Sequence, residues 1–280
     1  CMLAYKKLAV AIIDSAMEKN ISTLMIKLPA ADATSEEVKK NLDELSERVI
    51  GLIHLGDRDF FPDNPLQALL SDQRIVQLTI STLAKSPHIG AVIADPTTGA
   101  QALAEQLLHF QHRKIGFLLK TDSWDLPSDN PYFTYESSLR LAIIKGVFLG
   151  YGFNRSDEYS LFACRNFQQV KEQTTELIRK KKLPDAFCCH NDVSAGWFIQ
   201  ACEENGLRVP EDISVIGFDD CSNASLQERL TTISLPFYAI GFKAVDQLID
   251  FHENGLHESN RILKLQTSLV MKKTLSWCRN

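Results

Sequence analysis

Short apolar runs alternate with longer amphipathic stretches along most of the chain. Each run spans only a few residues and is rich in Ile, Val or Phe, which indicates strands that are buried on both faces. The predicted strands cover residues 23–28, 49–55, 91–94, 115–119, 186–189 and 213–218.

The stretches between these runs carry apolar residues at helical spacing. The predicted helices cover residues 4–19, 34–49, 98–111, 136–150, 168–182, 193–205 and 237–254. The second helix opens with Thr34 and Glu37, which have the spacing of a capping box. Because strands and helices alternate, the sequence predicts an α/β fold with parallel sheets and right-handed crossovers.

A polar segment at residues 121–131 suggests that the strands belong to two sheets rather than one. It contains two prolines among several Asp, Ser and Asn residues, and connections of this length are often functional. We predict two similar subdomains, and we expect the chain to cross from the first to the second for the first time within this segment. One subdomain then comprises residues 1–120 with 234–255, and the other comprises 121–233 with 256–280. In such sheets, ligands bind outside the carboxyl ends of the strands.

The charge and the cysteine content narrow the classes of function. The net charge is -5 at pH 7, whereas a nucleic-acid-binding domain usually has a basic surface. These residues alone are therefore not expected to hold DNA. The seven cysteines form no C-x-x-C pair, which is typical of a reducing compartment and predicts a cytoplasmic protein. No apolar run approaches the ~18 residues of a membrane span, and no signal peptide is recognisable.

Three motifs in the second half of the chain are specific. Residues 184–192 read PDAFCCHND, residues 206–220 read GLRVPEDISVIGFDD, and residues 230–245 begin with LTTISLP. In this order and spacing, they resemble the LacI/GalR family of transcriptional regulators. The first half matches more loosely, since Gln111 and Ile143 replace glycines of the family pattern.

The resemblance implies the effector-binding and dimerisation domain of such a regulator, with a type I periplasmic-binding-protein-like fold whose two subdomains are joined by three crossing segments. The implied partners are a small sugar-like effector, a second copy of the chain, and operator DNA. The DNA would be bound through an N-terminal helix-turn-helix that these residues do not include. The family's first core strand is also missing before the helix at 4–19, and residues 266–272 resemble its closing strand.

The resemblance also implies a set of ligand-binding residues. Arg140, Asn191 and Asp219 stand at ligand-contacting positions, and together they offer the paired donors and acceptors that vicinal hydroxyls need. Phe167 stands near an aromatic position that stacks on the ligand. The looser match in the first half adds Asp95 and Thr98.

Each of these residues also has a structural interpretation. The alternative for Arg140 is a solvated charge on a helix, and that for Asp219 is a residue that orders a loop, but we favour the ligand role for both. Asn191 and Asp192 both follow a strand, where either can cap the next helix. We expect Asp192 to be the cap and Asn191 to be the ligand contact.

The chain offers no catalytic constellation. Cys188, Cys189 and His190 suggest a thiol nucleophile or a metal site, but adjacent strand residues point to opposite faces and chelate poorly. We therefore predict a non-enzyme without a metal or other cofactor. The alternative function is a periplasmic sugar-binding protein of a transporter, which the unpaired cysteines and the lack of a signal disfavour.

Overall fold

A computed structural model describes residues 2–26, 40, 43–55, 75–80, 87–119, 135–153, 159–163, 166–221 and 223–278. The strands are β1 (Gly51–Leu55), β2 (Val76–Ile80), β3 (Ile89–Asp95), β4 (Ile115–Leu119), β5 (Tyr159–Ala163), β6 (Ala186–Cys189), β7 (Ser214–Asp219), β8 (Thr231–Ser234), β9 (Ile262–Gln266) and β10 (Ser268–Val270). The helices are α1 (Met2–Glu18), α2 (Thr97–His109), α3 (Tyr135–Gly150), α4 (Phe167–Arg179), α5 (Asp192–Glu204), α6 (Ala224–Gln227) and α7 (Phe237–Asn254). None of these helices combines the length and apolar character needed to cross a bilayer.

The described strands form two sheets, which confirms the predicted α/β architecture with two subdomains. The first sheet has the order β1-β2-β3-β9 and is parallel throughout. Helices α1 and α7 pack against each other on this subdomain. They approach so closely that a Cβ on Gly241 would lie 2.5 Å from the Ala11 side chain.

The second sheet has the order β10-β8-β7-β6-β4-β5. Its strands are parallel except β10, which runs antiparallel to β8. Helices α2 and α3 pack together, and α5 packs on β7. The strands between the helix layers are apolar on both faces, as in β6 and β7, where every residue up to Phe218 is buried.

The predicted subdomain boundaries are wrong in two places. Strand β4 pairs with β5 and β6 in the second sheet, so the first crossing lies between β3 and α2 rather than at 121–131. Strand β9 pairs with β3 in the first sheet, although residues 256–280 were expected in the second subdomain. The first crossing needs only Pro96 between a strand and a helix, which is too short to stand out in composition. The segment 121–131 lies outside the described residues.

Between the described elements, the chain passes from one subdomain to the other at three adjacent crossings, after β3, after β8 and after β9. Hydrogen bonds join the first crossing to the third, since the Thr267 N–H and Oγ1 donate to the Asp95 carbonyl at 3.1 and 3.0 Å. Gly99 lies where they meet the second crossing, since a Cβ there would be 2.6 Å from Ile233 and 2.7 Å from Thr267. The crossings therefore form one compact junction.

Two further predictions concern a strand at 23–28 and a helix at 34–49. The strand predicted at 23–28 is wrong for its described part, since residues 23–26 are exposed and not in a strand. No described strand runs beside them to supply a hydrogen-bonded ladder. Most of the helix predicted at 34–49, including its capping box, lies outside the described residues.

A buried polar pair lies within the first sheet. His54 on β1 and Gln77 on β2 are almost fully buried, and His54 Nε2 lies 2.9 Å from Gln77 Oε1. Burial lowers the pKa of His54 below its ordinary value near 6.5, against the opposing effect of the hydrogen bond. The buried imidazole therefore stays neutral where an unfolded histidine becomes charged.

From this pair we predict that the folded chain loses stability in mild acid. Since the unfolded chain binds the additional proton, the stabilisation is fully present above pH ~6.5 and is lost as the pH falls below that value, by at most about 1.4 kcal/mol per pH unit. Urea unfolding at pH 7.5 and 5.5 measures the loss. His54→Gln should reduce it, whereas the exposed control His257→Gln should not. An equal loss in wild type and His54→Gln would contradict the prediction.

Candidate functional site

The site begins at the carboxyl edge of the second sheet, where two neighbouring parallel strands end. Strand β6 ends at Cys189 and β7 ends at Asp219, and the two strands are paired directly. Asn191 and Asp219 therefore lie at the same edge. This edge is where open α/β sheets bind ligands.

Arg140 on α3 joins the two strand ends. Its Nη1 donates to the His190 carbonyl at 3.1 Å, and its guanidinium carbon lies 3.4 Å from the centroid of the Phe218 ring. These two residues immediately precede Asn191 and Asp219 in the chain. The contacts stabilise the guanidinium by a hydrogen bond and by stacking. Arg140 is thus half-buried and fixed at the edge, not a freely solvated charge on a helix.

A small cavity of about 30 Å³ lies beneath this arginine, large enough for one or two waters. Residues that line it include Leu118, Arg140, Cys188, His190, Gly217 and Phe218. Burial raises the pKa of the Cys188 thiol to about 12, against the influence of the Arg140 charge. The thiol is therefore neutral and unsuited to nucleophilic attack. Within the described ranges, no group of three or more His, Cys, Asp or Glu side chains could hold a metal ion.

The cap of α5 differs from the prediction. Asn191 is the N-cap, and its side chain accepts a hydrogen bond from the Ser194 N–H at 2.9 Å. The Asn191 N–H donates in return to Ser194 Oγ, which completes a capping box. Asp192 was expected to cap the helix, and that expectation is wrong because it lies one residue inside the helix. The role of Asn191 as a ligand contact stays a prediction.

Asp192 instead anchors the loop that follows β7. Its side chain is buried, and it accepts hydrogen bonds from the Cys221 N–H at 2.6 Å and from Thr232 Oγ1 at 2.7 Å. A Cβ on Gly217 would lie 2.2 Å from its Oδ1, so only glycine leaves room for this carboxylate. Burial raises the pKa of Asp192, although the two hydrogen bonds act to lower it.

The loop itself has an unusual backbone. Asp219 and Asp220 have φ of 104° and 53°, a region that residues other than glycine adopt only where the surroundings hold them. Lys272 Nζ and Gln227 Nε2 each donate to Asp220 Oδ1 at 3.0 Å. Several contacts therefore fix the position of Asp219 at the edge of the site.

Phe167 lies near this edge but on a different element. It is the first residue of α4, whose N-cap is Asn166. It is half-buried and packs against the apolar cluster that contains Leu118. Its remaining surface is open to contact with a ligand, and the stacking role stays a prediction.

Asp95 and Thr98 lie at the junction of the crossings. Asp95 Oδ1 accepts a hydrogen bond from the Thr97 N–H at 2.9 Å, and Thr98 is exposed in the first turn of α2. Burial tends to raise the pKa of Asp95. The hydrogen bonds from Thr97 and the nearby Lys264 charge outweigh this effect, so the pKa is lowered. The described contacts do not join these two residues to the group around Arg140.

Sequence reasoning missed two contributors to the site. His190 was considered only for metal binding or nucleophilic chemistry, although its carbonyl holds Arg140. Asp192 was assigned as a cap, although it fixes the loop after β7. No local signal in the sequence revealed this role, because the donors that a buried carboxylate needs come from residues 29 and 40 positions away.

Comparison with known proteins gives the family. The protein-family model described as periplasmic binding protein-like domain matches residues 104–275. The chain is 27% identical over 248 residues to the HTH-type transcriptional repressor PurR of Haemophilus influenzae, covering 86% of this chain and 69% of that protein. It is 29% identical over 161 residues to the arabinose metabolism transcriptional repressor of Geobacillus stearothermophilus, covering 57% and 42%. The chain thus spans about two fifths to two thirds of these relatives.

Solved structures share the fold. A LacI transcriptional regulator from a Rhodococcus species superposes with a TM-score of 0.78 at 23% identity, covering 99% of this chain and 96% of that one. A LacI family regulator from Enterococcus faecium with bound ribose superposes with a TM-score of 0.76 at 20% identity, covering 99% and 96%. The chain belongs to the periplasmic binding protein-like domain family, in the form that LacI/GalR-type regulators use as their ligand-binding domain.

Proposed function

We propose that the chain is the effector-binding and dimerisation domain of a LacI/GalR-type transcriptional regulator. It binds a small sugar-like metabolite between its two subdomains, and binding changes the affinity of an attached DNA-binding domain for operator DNA in the cytoplasm. The observation that carries the proposal is the arrangement of Arg140 against the residues that precede Asn191 and Asp219. These three side chains present donors and acceptors at one edge, as a polyhydroxylated ligand requires.

The space for the effector is the cleft between the subdomains. The cavity beneath Arg140, at about 30 Å³, is too small for a sugar ring. An effector bound at the carboxyl edge therefore occupies the region between this edge and the first subdomain, near the crossings that carry Asp95 and Thr98. Ribose bound in a structural neighbour supports a sugar-like ligand.

The dimer is supported by an exposed apolar stripe on α1. Leu3, Val10 and Met17 are spaced seven residues apart, so they share one face of the helix, and each is exposed. Exposed apolar side chains that recur along one face of a helix favour an interaction surface. We assign it to a second copy of the chain.

The relatives favour a regulator over a sugar-binding component of a transporter. Both curated relatives named above are transcriptional repressors. In a regulator, an effector acts through its different affinity for two arrangements of the subdomains. The compact junction of three crossings is suited to such a change, because it concentrates the connection in a few residues.

A thermal-shift screen against sugars, sugar phosphates and purines tests the effector site. A ligand that binds only the native chain is expected to raise the melting temperature by roughly 5–10 °C at a concentration about 100 times its Kd. The purified chain without added compound is the reference. The absence of any shift across all three classes would count against a small-metabolite site.

A further inference from the structure

Lys7 makes a contact that links the two subdomains. It lies on α1, which packs against α7 on the first subdomain. Its Nζ donates at 2.8 Å to the carbonyl of Asp220, in the loop that follows β7 of the second sheet. The ammonium also lies 5.9 Å from the ring centroid of Phe237, where the chain returns to the first subdomain. Lys7 thus contacts both the loop and a crossing.

The contacted loop is the one that carries Asp219. Within the second subdomain, Asp192 holds the Cys221 N–H, and Lys272 holds the Asp220 carboxylate. These bonds leave the Asp220 carbonyl as an acceptor, and Lys7 uses it from the other subdomain. A residue at positive φ keeps its conformation only while its neighbours hold it. A shift of α1 relative to the second sheet therefore acts directly on this loop.

We propose that Lys7 is a positioning residue that couples the placement of the first subdomain to the conformation of Asp219–Cys221. The coupling rests on the proposed function, because it gives the effector-contacting loop a connection to the subdomain that must move. When the subdomains separate, the Lys7 hydrogen bond breaks and the loop loses a contact. When they close, the contact forms again and Asp219 returns to the edge of the site.

The buried Cys221 thiol reports on this contact without any effector. Cys221 is only 2% exposed, so an alkylating reagent reaches it only through local opening. Burial raises the pKa of its thiol, and the Lys7 charge lowers it. Removing Lys7 thus leaves the thiol less ionised and chemically slower. A faster reaction in a Lys7 variant therefore indicates greater exposure of the thiol, since the change in charge acts in the opposite direction.

The experiment measures the rate of N-ethylmaleimide labelling at each cysteine by peptide mass spectrometry. Lys7→Met is expected to label Cys221 about fivefold faster than wild type, because one exposed hydrogen bond is lost. Lys7→Arg, which keeps a donor of similar reach, should restore a slow rate. Lys6→Met, an exposed neighbour on the same turn, should label at the wild-type rate.

Labelling of Cys202 separates the coupling from general instability. Cys202 is fully buried in the core of the second subdomain, and its rate should be the same in all variants. A wild-type rate at Cys221 in Lys7→Met would overturn the proposal, and so would an equal increase at Cys221 and Cys202. Because no effector is added, either result leaves the proposed effector site untouched, and that site is tested independently by the thermal-shift screen.

Discussion

Replacing Asp192 with alanine is expected to lower the melting temperature of the chain by roughly 6–12 °C. The substitution leaves the Cys221 N–H and the Thr232 hydroxyl without their acceptor in a buried place. Unpaired buried donors and the cavity left by the carboxylate together cost about 3 kcal/mol. Differential scanning calorimetry of wild type and variant measures the change.

Two further variants test whether hydrogen bonding causes this loss. Asp192→Asn keeps the size and one acceptor oxygen, so we expect a loss smaller than that of alanine. Asp212→Ala removes a carboxylate from a surface pair with Arg208, and we expect a much smaller effect because solvent screens that pair. A melting temperature of Asp192→Ala equal to that of wild type would contradict the anchoring role of Asp192.

The second large effect is expected at Arg140. Arg140→Ala should weaken effector binding by about 30- to 100-fold, since hydrogen bonds from a charged donor contribute about 2–3 kcal/mol. The guanidinium is already held by the His190 carbonyl and the Phe218 ring. It therefore does not lose conformational freedom when the ligand arrives. Isothermal titration calorimetry with the effector found in the screen measures the affinity.

A positive charge alone should not restore the effector affinity that Arg140 provides. Arg140→Lys keeps the positive charge but loses the planar stack on Phe218, so we expect an affinity between those of wild type and Arg140→Ala. Arg208→Ala, at an exposed arginine paired with Asp212 on the surface, is the matched control and should bind as wild type does. An unchanged affinity in Arg140→Ala would remove Arg140 from the site.

The sequence predicted those parts of the fold that local patterns determine. The strands at 115–119, 186–189 and 213–218 are correct to within a residue, because continuous apolar runs between helices leave little alternative. Among the described strands, β2, β5, β8 and β9 were missed. Buried polar residues interrupt β2 at Gln77 and Thr79, and alternate polar residues make β9 resemble a surface segment. Their strand character comes from their neighbours in the sheet.

The contacts within the candidate site could not be predicted from the sequence, and the ligand roles of its residues stay predictions. The resemblance named Arg140 and Asp219, and the structure brings Arg140 against the residues that precede Asn191 and Asp219. Which of two adjacent residues caps α5 depends on a single backbone turn, and the sequence pattern alone does not distinguish Asn191 from Asp192. The contact of Lys7 with Asp220 joins residues 213 positions apart, which no local pattern reveals.

Hydrogen–deuterium exchange with and without the effector tests the central claim most directly, because it locates binding along the whole chain. We predict slower exchange in peptides that cover residues 188–191 and 217–221 of the second subdomain, together with 95–98 at the crossings. Protection confined to the opposite edge of the second sheet, in peptides that cover 109–114 and 273–278, would contradict an effector site between the two subdomains.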